Sequence, residues 1–148
     1  MFYSYNDFEK GVNSICNQIK HSEIKFDYIV GVARGGAIPA VRISHILNVP
    51  CIIMNWNTRE KEEIKEKPLV IDKIIQEKKN ILLVDDIVDE GNTIISILSC
   101  WRLLVKNLEN VKICALIWNQ SQLIRCDYYH KCIDRTVQKD WVNFWWEE

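Results

Sequence analysis

The stretch ILLVDDIVDEGNT, residues 81–93, constrains the fold of this chain more than any other. Asn80 to Val84 has the length and composition of a buried strand. It runs into Asp85-Asp86-Ile87-Val88-Asp89-Glu90-Gly91-Asn92-Thr93, where Gly91 permits tight curvature. Ile94, Leu98, Trp101 and Val105 then recur at helical spacing and predict a helix to about Asn107. A strand feeding a helix in this way is the repeating unit of a parallel sheet, whose ligands sit beyond the carboxyl ends of the strands.

The chemistry of this loop can be read from its residue types. Glu90, Gly91, Asn92 and Thr93 open the helix, so their N–H groups lack intrahelical partners and share the direction of the helix dipole. Such a start holds phosphate. Asp85 and Asp86 cannot hold phosphate themselves; paired carboxylates suit ribose hydroxyls or a hydrated Mg²⁺. Asp89 lies at the turn, placed to take or give a proton. Two aspartates after an apolar strand, and an Asp-Glu-Gly turn at a helix start, also occur as purely structural features, so the spacing alone leaves both readings open.

The rest of the chain continues the alternation of helix and strand. Asn6 or Asp7 is expected to cap a first helix with Phe8, Val12, Ile15 and Ile19 on one face. Tyr28 to Val32 reads as a strand ending in Ala33-Arg34-Gly35-Gly36, followed by a helix to about Leu47 with Pro39 in its first turn. Cys51 to Met54 is a further strand. The charged segment 55–67, NWNTREKEEIKEK, reads as a solvated loop, a short exposed helix or a mobile lid. A short strand or helix is expected around Leu69 to Ile75, a strand at Val111 to Ile117, and a last strand containing Tyr128 and Tyr129.

Length and composition narrow the class. With 148 residues, 48% of them apolar, the chain is expected to form one globular domain, residues 1–148. A formal net charge of −1 provides no global field for nucleic acid or an anionic membrane, so any anion site must be built locally. No stretch approaches 18 apolar residues, and the start MFYSYNDFEKG has no apolar core of a secretory signal. Six cysteines without a CxxC pair read as reduced thiols, and a cytoplasmic protein is expected. Cys126, His130 and Cys132 match no common zinc spacing and read as part of a strand.

ILLVDDIVDEGNT closely resembles the phosphoribosyl pyrophosphate signature of type I phosphoribosyltransferases. VGVARGG is similar to that family's pyrophosphate loop, and the ending DWVNFWWE resembles the carboxyl end of the bacterial xanthine-guanine (6-oxopurine) subgroup. The matches run from residue 30 to the end in the family's order. The resemblance implies an α/β, Rossmann-like three-layer domain with a mainly parallel central sheet and a small C-terminal and loop hood over the base site. It also implies transfer of ribose 5-phosphate from phosphoribosyl pyrophosphate to a purine, with Mg²⁺.

By the same resemblance, Asp85 and Asp86 bind the ribose hydroxyls, Asp86 near the metal. Asp89 lies beside N7 of the purine. Glu90, Gly91, Asn92 and Thr93 cradle the 5-phosphate. Ala33, Arg34 and Gly35 bind pyrophosphate, with a non-proline cis peptide between Ala33 and Arg34, and Arg59 also binds pyrophosphate. Trp141 stacks on the base, and the Val142 backbone reads its edge.

Two positions depart from the family pattern. Glu90 stands where Thr or Ser is commoner; its N–H can serve phosphate while its carboxylate faces solvent. Asn119 stands where the subgroup has a Lys that donates to the 6-oxo group. An amide donates and accepts, so Asn119 is expected to meet either a 6-oxo or a 6-amino group. Lys131 is a further candidate for that role. Trp101 is read as helix core, and Trp145 and Trp146 as core or subunit contact, with a homodimer or homotetramer expected. His21, His45 and His130 receive no role.

The competing reading is a non-catalytic regulator that keeps the fold to sense phosphoribosyl pyrophosphate or a nucleotide. The presence of Asp85, Asp86 and Asp89 and the absence of a basic balance favour the enzyme. A third reading, a Rossmann-like nucleotide binder, leaves the Arg-Gly-Gly loop, Arg59 and the aromatic ending unexplained.

Overall fold

A computed structural model describes residues 1–59 and 63–148. Six strands form the central sheet: β2 (Tyr28–Ala33), β3 (Cys51–Asn57), β4 (Ile64–Glu66), β5 (Ile81–Val88), β6 (Val111–Asn119) and β7 (Tyr128–Ile133). Their order is β4-β3-β2-β5-β6-β7, parallel throughout except for β4, which runs antiparallel to β3. β1 (Phe2–Tyr3) and β8 (Asn143–Phe144) make a separate parallel pair. The helices are α1 (Tyr5–Ser22), α2 (Ala37–Leu47), α3 (Leu69–Gln76) and α4 (Asn92–Trp101).

Burial alternates along the inner strands. Ile29, Leu82, Val84 and Cys114 point into one core with α1 and α2, while Val30, Leu83, Ile113 and Ala115 point into another with α3 and α4. A strand covered on both faces must be apolar at nearly every position, which is why these segments read as continuous runs. The result is the three-layer α/β architecture. Phe8, Val12, Ile15 and Ile19 are all buried along α1, and Trp101 is fully buried in the other core.

Several local expectations are corrected. The N-cap of α1 is Ser4, not Asn6 or Asp7. The Ser4 hydroxyl accepts from the Asp7 N–H at 3.1 Å while the Asp7 carboxylate accepts from the Ser4 N–H at 3.2 Å, a reciprocal capping box. Lys131 donates to Asp7 at 2.8 Å, and this bond leads the effects that lower the Asp7 carboxyl to about 2. Lys131 is thus committed to the α1 side of the sheet.

The charged 55–67 segment is neither a helix nor a plain loop. β3 continues to Asn57 and β4 returns beside it, with Asn55 opposite Glu66 and Asn57 opposite Ile64. Charged side chains are tolerated there because β4 is a sheet edge. Residues 60–62 of the segment expected to form a mobile lid lie outside the described residues. Leu69–Gln76 resolves as helix. α4 stops at Trp101 rather than near Asn107; beyond it Leu103 is 85% exposed, while Leu104 and Val105 still pack against the core from non-helical backbone.

Candidate active site

β5 does not end at Val84. It pairs with β6 through Asp85↔Ala115, Ile87↔Ile117 and Val88↔Trp118, so both aspartates belong to the strand. Extended backbone is held there because neighbouring β6 runs on to Asn119 and continues the ladder. The loop proper is only Asp89–Gly91. Gly91 is the N-cap of α4 at φ 82°, a left-handed conformation that favours glycine, and a β-carbon there would come within 2.9 Å of Ile124. Having no side chain, this cap leaves the first N–H groups of α4 open. The first bond into the helix is from the Ile95 N–H to the Gly91 carbonyl, at 2.9 Å. The Glu90 carboxylate turns to the exposed surface, where it accepts from Asn92 Nδ2 at 2.9 Å.

Three recesses meet at this end of the sheet. One of ≈ 580 Å³ lies between Ala33, Arg34 and Gly35 and the Asp85–Asp86 pair, with Trp146 and Glu147 on its wall. A second of ≈ 350 Å³ runs from Asp85 and Asp89 across the start of α4 to Thr58 and Trp141. A third of ≈ 50 Å³ lies among Asp89, Arg135, Trp141 and Val142. Arg59 and Ile87 line all three, so they form one continuous depression. The peptide bond Ala33–Arg34 is cis.

The carboxylates differ in environment. Burial, and next the neighbouring Asp86, push the Asp85 carboxyl well above the usual carboxylate range. Asp86 is raised as well, chiefly by burial. Asp86 accepts the Ile87 N–H at 2.8 Å, and Asp85 accepts the Asp86 N–H at 3.0 Å. Neither forms an ion pair among the described residues. Asp89, in contrast, is ion-paired with Arg135 at 2.9 Å. The described residues contain no group of three His, Cys, Asp or Glu side chains arranged to hold a metal by themselves.

The residues singled out from sequence therefore line one depression, with two exceptions, Asn119 and Lys131. Asn119 is 1% exposed and lines none of the three recesses. Its Nδ2 donates to Asp89 at 3.2 Å, and its Oδ1 accepts from the Ser121 hydroxyl at 2.6 Å, the Ser121 N–H at 3.2 Å and the Arg135 N–H at 3.3 Å. Donor and acceptor are both engaged within the protein, so this amide is not displayed to a ligand. Neither is Lys131.

Sequence reasoning missed Thr58, Arg135 and Glu147. The Thr58 and Thr93 hydroxyls lie 3.3 Å apart across the second recess. The acidic residue after Trp145-Trp146 was the available signal for Glu147; nothing marked Arg135. Trp145 and Trp146 pack beside the α1 core, Trp146 stacked on Phe144 at 4.7 Å.

Comparison with known proteins agrees with this geometry. Residues 2–148 match the phosphoribosyl transferase domain model, and the chain belongs to that family. A xanthine-guanine phosphoribosyltransferase of Idiomarina loihiensis is 23% identical over 151 aligned residues, spanning 99% of this chain and 86% of the relative. An orotate phosphoribosyltransferase of Caenorhabditis elegans is 36% identical over 81 residues, 55% of this chain and only 34% of the relative's length. The crystal structure of a purine phosphoribosyltransferase from Pyrococcus horikoshii superposes with a TM-score of 0.78 at 25% identity, covering 100% of this chain and 94% of that one.

Proposed function

We propose that this chain transfers ribose 5-phosphate from phosphoribosyl pyrophosphate to a ring nitrogen of a purine, with guanine, xanthine or hypoxanthine as acceptor. The observation that carries the reading is one depression holding an uncapped helix start, a half-buried carboxylate pair, and Asp89 beside the 62% exposed Trp141. The purine acceptor is supported by the names of the Idiomarina and Pyrococcus relatives.

The proposed roles follow from the chemistry. Glu90, Gly91, Asn92 and Thr93 offer backbone N–H groups, and Thr93 a hydroxyl, to the 5-phosphate. Asp85 and Asp86 accept from the ribose hydroxyls. Ala33, Arg34, Gly35 and Arg59 take the pyrophosphate. As its bond to the sugar carbon breaks, positive charge develops on the sugar and negative charge on the leaving group, which Arg59 and backbone donors stabilise. The base nitrogen forms the new bond and gives up its proton, with Asp89 as acceptor or hydrogen-bond partner. Trp141 stacks on the ring and Val142 offers its backbone to the base edge.

The residues fit a magnesium ion. Asp85 and Asp86 abut, both raised by burial, and a bound cation relieves that like-charge pairing. Asp86 is the proposed ligand, with Mg²⁺ neutralising pyrophosphate charge when bound. A cytoplasmic homodimer or homotetramer is the setting we infer; free thiols at all six cysteines suit a reducing compartment.

The test is incubation with phosphoribosyl pyrophosphate, Mg²⁺ and each common base separately, measuring nucleotide and pyrophosphate. Turnover with a 6-oxopurine supports the proposal. Turnover with adenine alone overturns the acceptor class, and nucleotide binding without turnover favours a regulator.

A further inference from the structure

We propose that Arg135 is a positioning residue that fastens Asp89 to the segment bearing Trp141, and so sets the spacing of the walls between which a base enters. The inference rests on the function proposed above.

Arg135 sits in a short turn after β7 that its neighbours build. Asp134 accepts from the Thr136 N–H at 2.9 Å and the Thr136 hydroxyl at 2.6 Å, and its carbonyl accepts from the Val137 and Gln138 N–H groups at 3.0 and 2.7 Å. The guanidinium points inward. Nε donates to both Asp89 oxygens at 3.1 Å, and Nη2 donates to Oδ2 at 2.9 Å. Nη1 donates to the carbonyls of Gln138, at 3.4 Å, and Asp140. One planar group therefore grips Asp89 on one edge and, on the other, the backbone immediately before Trp141. The rigid fork of an arginine suits this double attachment, which a lysine ammonium cannot reproduce.

Asn119 closes the arrangement. It donates to Asp89 Oδ1 and accepts from the Arg135 N–H, tying the acid and the turn to the end of β6. A carboxylate has about four acceptor positions. Oδ1 takes Asn119 Nδ2 and Arg135 Nε, and Oδ2 takes Arg135 Nε and Nη2, so each oxygen meets two donors and the carboxylate is held in one orientation. Side-chain exposures of 17% and 16% for Arg135 and Asp89 mean that solvent does little to weaken the pair. Both line the ≈ 50 Å³ recess beside Trp141 and Val142, where no phosphate-binding residue of α4 reaches.

Because Arg135 touches the base wall and not the helix start, its loss must fall on base-containing ligands. The experiment compares Arg135→Ala and Arg135→Lys with the unaltered chain, titrating each by calorimetry with GMP and with ribose 5-phosphate. Base KM and phosphoribosyl pyrophosphate KM are then measured separately. We expect Arg135→Ala to weaken GMP binding and raise the base KM by about 10–100-fold. Ribose 5-phosphate affinity should stay within about twofold. Arg135→Lys should recover only part of the loss, and added guanidinium ion at millimolar concentration should partly restore Arg135→Ala. Equal loss for both ligands overturns the proposal, because it marks a general structural role; so does unchanged GMP affinity. If Arg135→Ala does not fold, the Arg135→Lys comparison decides alone. Failure of the unaltered chain to bind GMP or to form nucleotide strikes the functional reading itself, and is distinct from a normal chain with indifferent variants.

Discussion

A β-carbon placed on Gly35 would collide with the carboxylate of Asp86. The turn after β2 and the acidic end of β5 therefore press together with no room for a side chain between them.

Gly35→Ala tests that contact. The methyl group must push Asp86 away from its proposed place at the ribose and the metal. kcat/KM for phosphoribosyl pyrophosphate should fall by about 100-fold, the scale of loss when a reacting group moves by about 1 Å. Circular dichroism should show an unchanged fold. Steady-state kinetics with activity within a few-fold of the unaltered chain would remove Asp86 from the site.

Asp85→Asn should separate stability from activity. The raised Asp85 carboxyl means that folding buries a charge against its preference, so the penalty grows as pH rises above the ordinary carboxylate value near 3.8. Removing that charge should stabilise the ligand-free protein at pH 7–8 by on the order of 1 kcal/mol, about 2–4 °C in Tm. Transfer activity should be lost. A thermal melt showing destabilisation would contradict the buried-charge account.

Trp141→Ala should do the reverse. The ring is 62% exposed and makes no ring–ring contact among the described residues. Stability should change by less than about 0.5 kcal/mol. Affinity for a purine nucleotide should fall by about 10–100-fold if the indole stacks on the base. Calorimetry with GMP measures this directly.

His130 gives the chain an acid-sensitive point away from the site. Its Nδ1 lies 2.8 Å from the buried Tyr3 hydroxyl, and burial first, then Lys131, lowers its pKa. Asp7 opposes that shift and Lys10 adds to it. With the imidazole disfavoured as a cation in the folded state, its contribution is complete above the ordinary value near 6.5 and fades as pH falls below it. Comparing Tm of the unaltered chain with His130→Gln between pH 7.5 and 5 should show a steeper decline for the former. Parallel curves would refute the linkage.

Much of this was legible from local signals. The run from Ile81 to Val84, the glycine at 91 and the apolar stripe of α4 depend on nearest neighbours, and they located the strand end and helix start that line the depression. Arg135 was not legible because its partner is 46 residues away and meets it only through the pairing of β5, β6 and β7. Asn119 was matched to the right strand end but given the wrong audience: its amide is buried by Ser121 and Arg135, which no spacing rule brings together. The acidic pair read as loop because aspartate disfavours strands, yet a strand held between β2 and β6 overrides that preference.

The pairing of β1 with β8 has a consequence for the order of assembly. The strand that carries Asp85 and Asp86, the loop with Asp89, the helix that follows and the neighbouring β6 are complete once residue 119 has been synthesised. The segment bearing Trp141 is also joined from the other end of the chain: the Met1 carbonyl accepts from the Asn143 N–H at 2.9 Å and the Met1 nitrogen donates to the Trp141 carbonyl at 2.7 Å. A growing chain thus has its acidic strand end and the start of α4 before it has the wall that carries Trp141. Phe2 and Tyr3 have no strand partner until Asn143 and Phe144 are made.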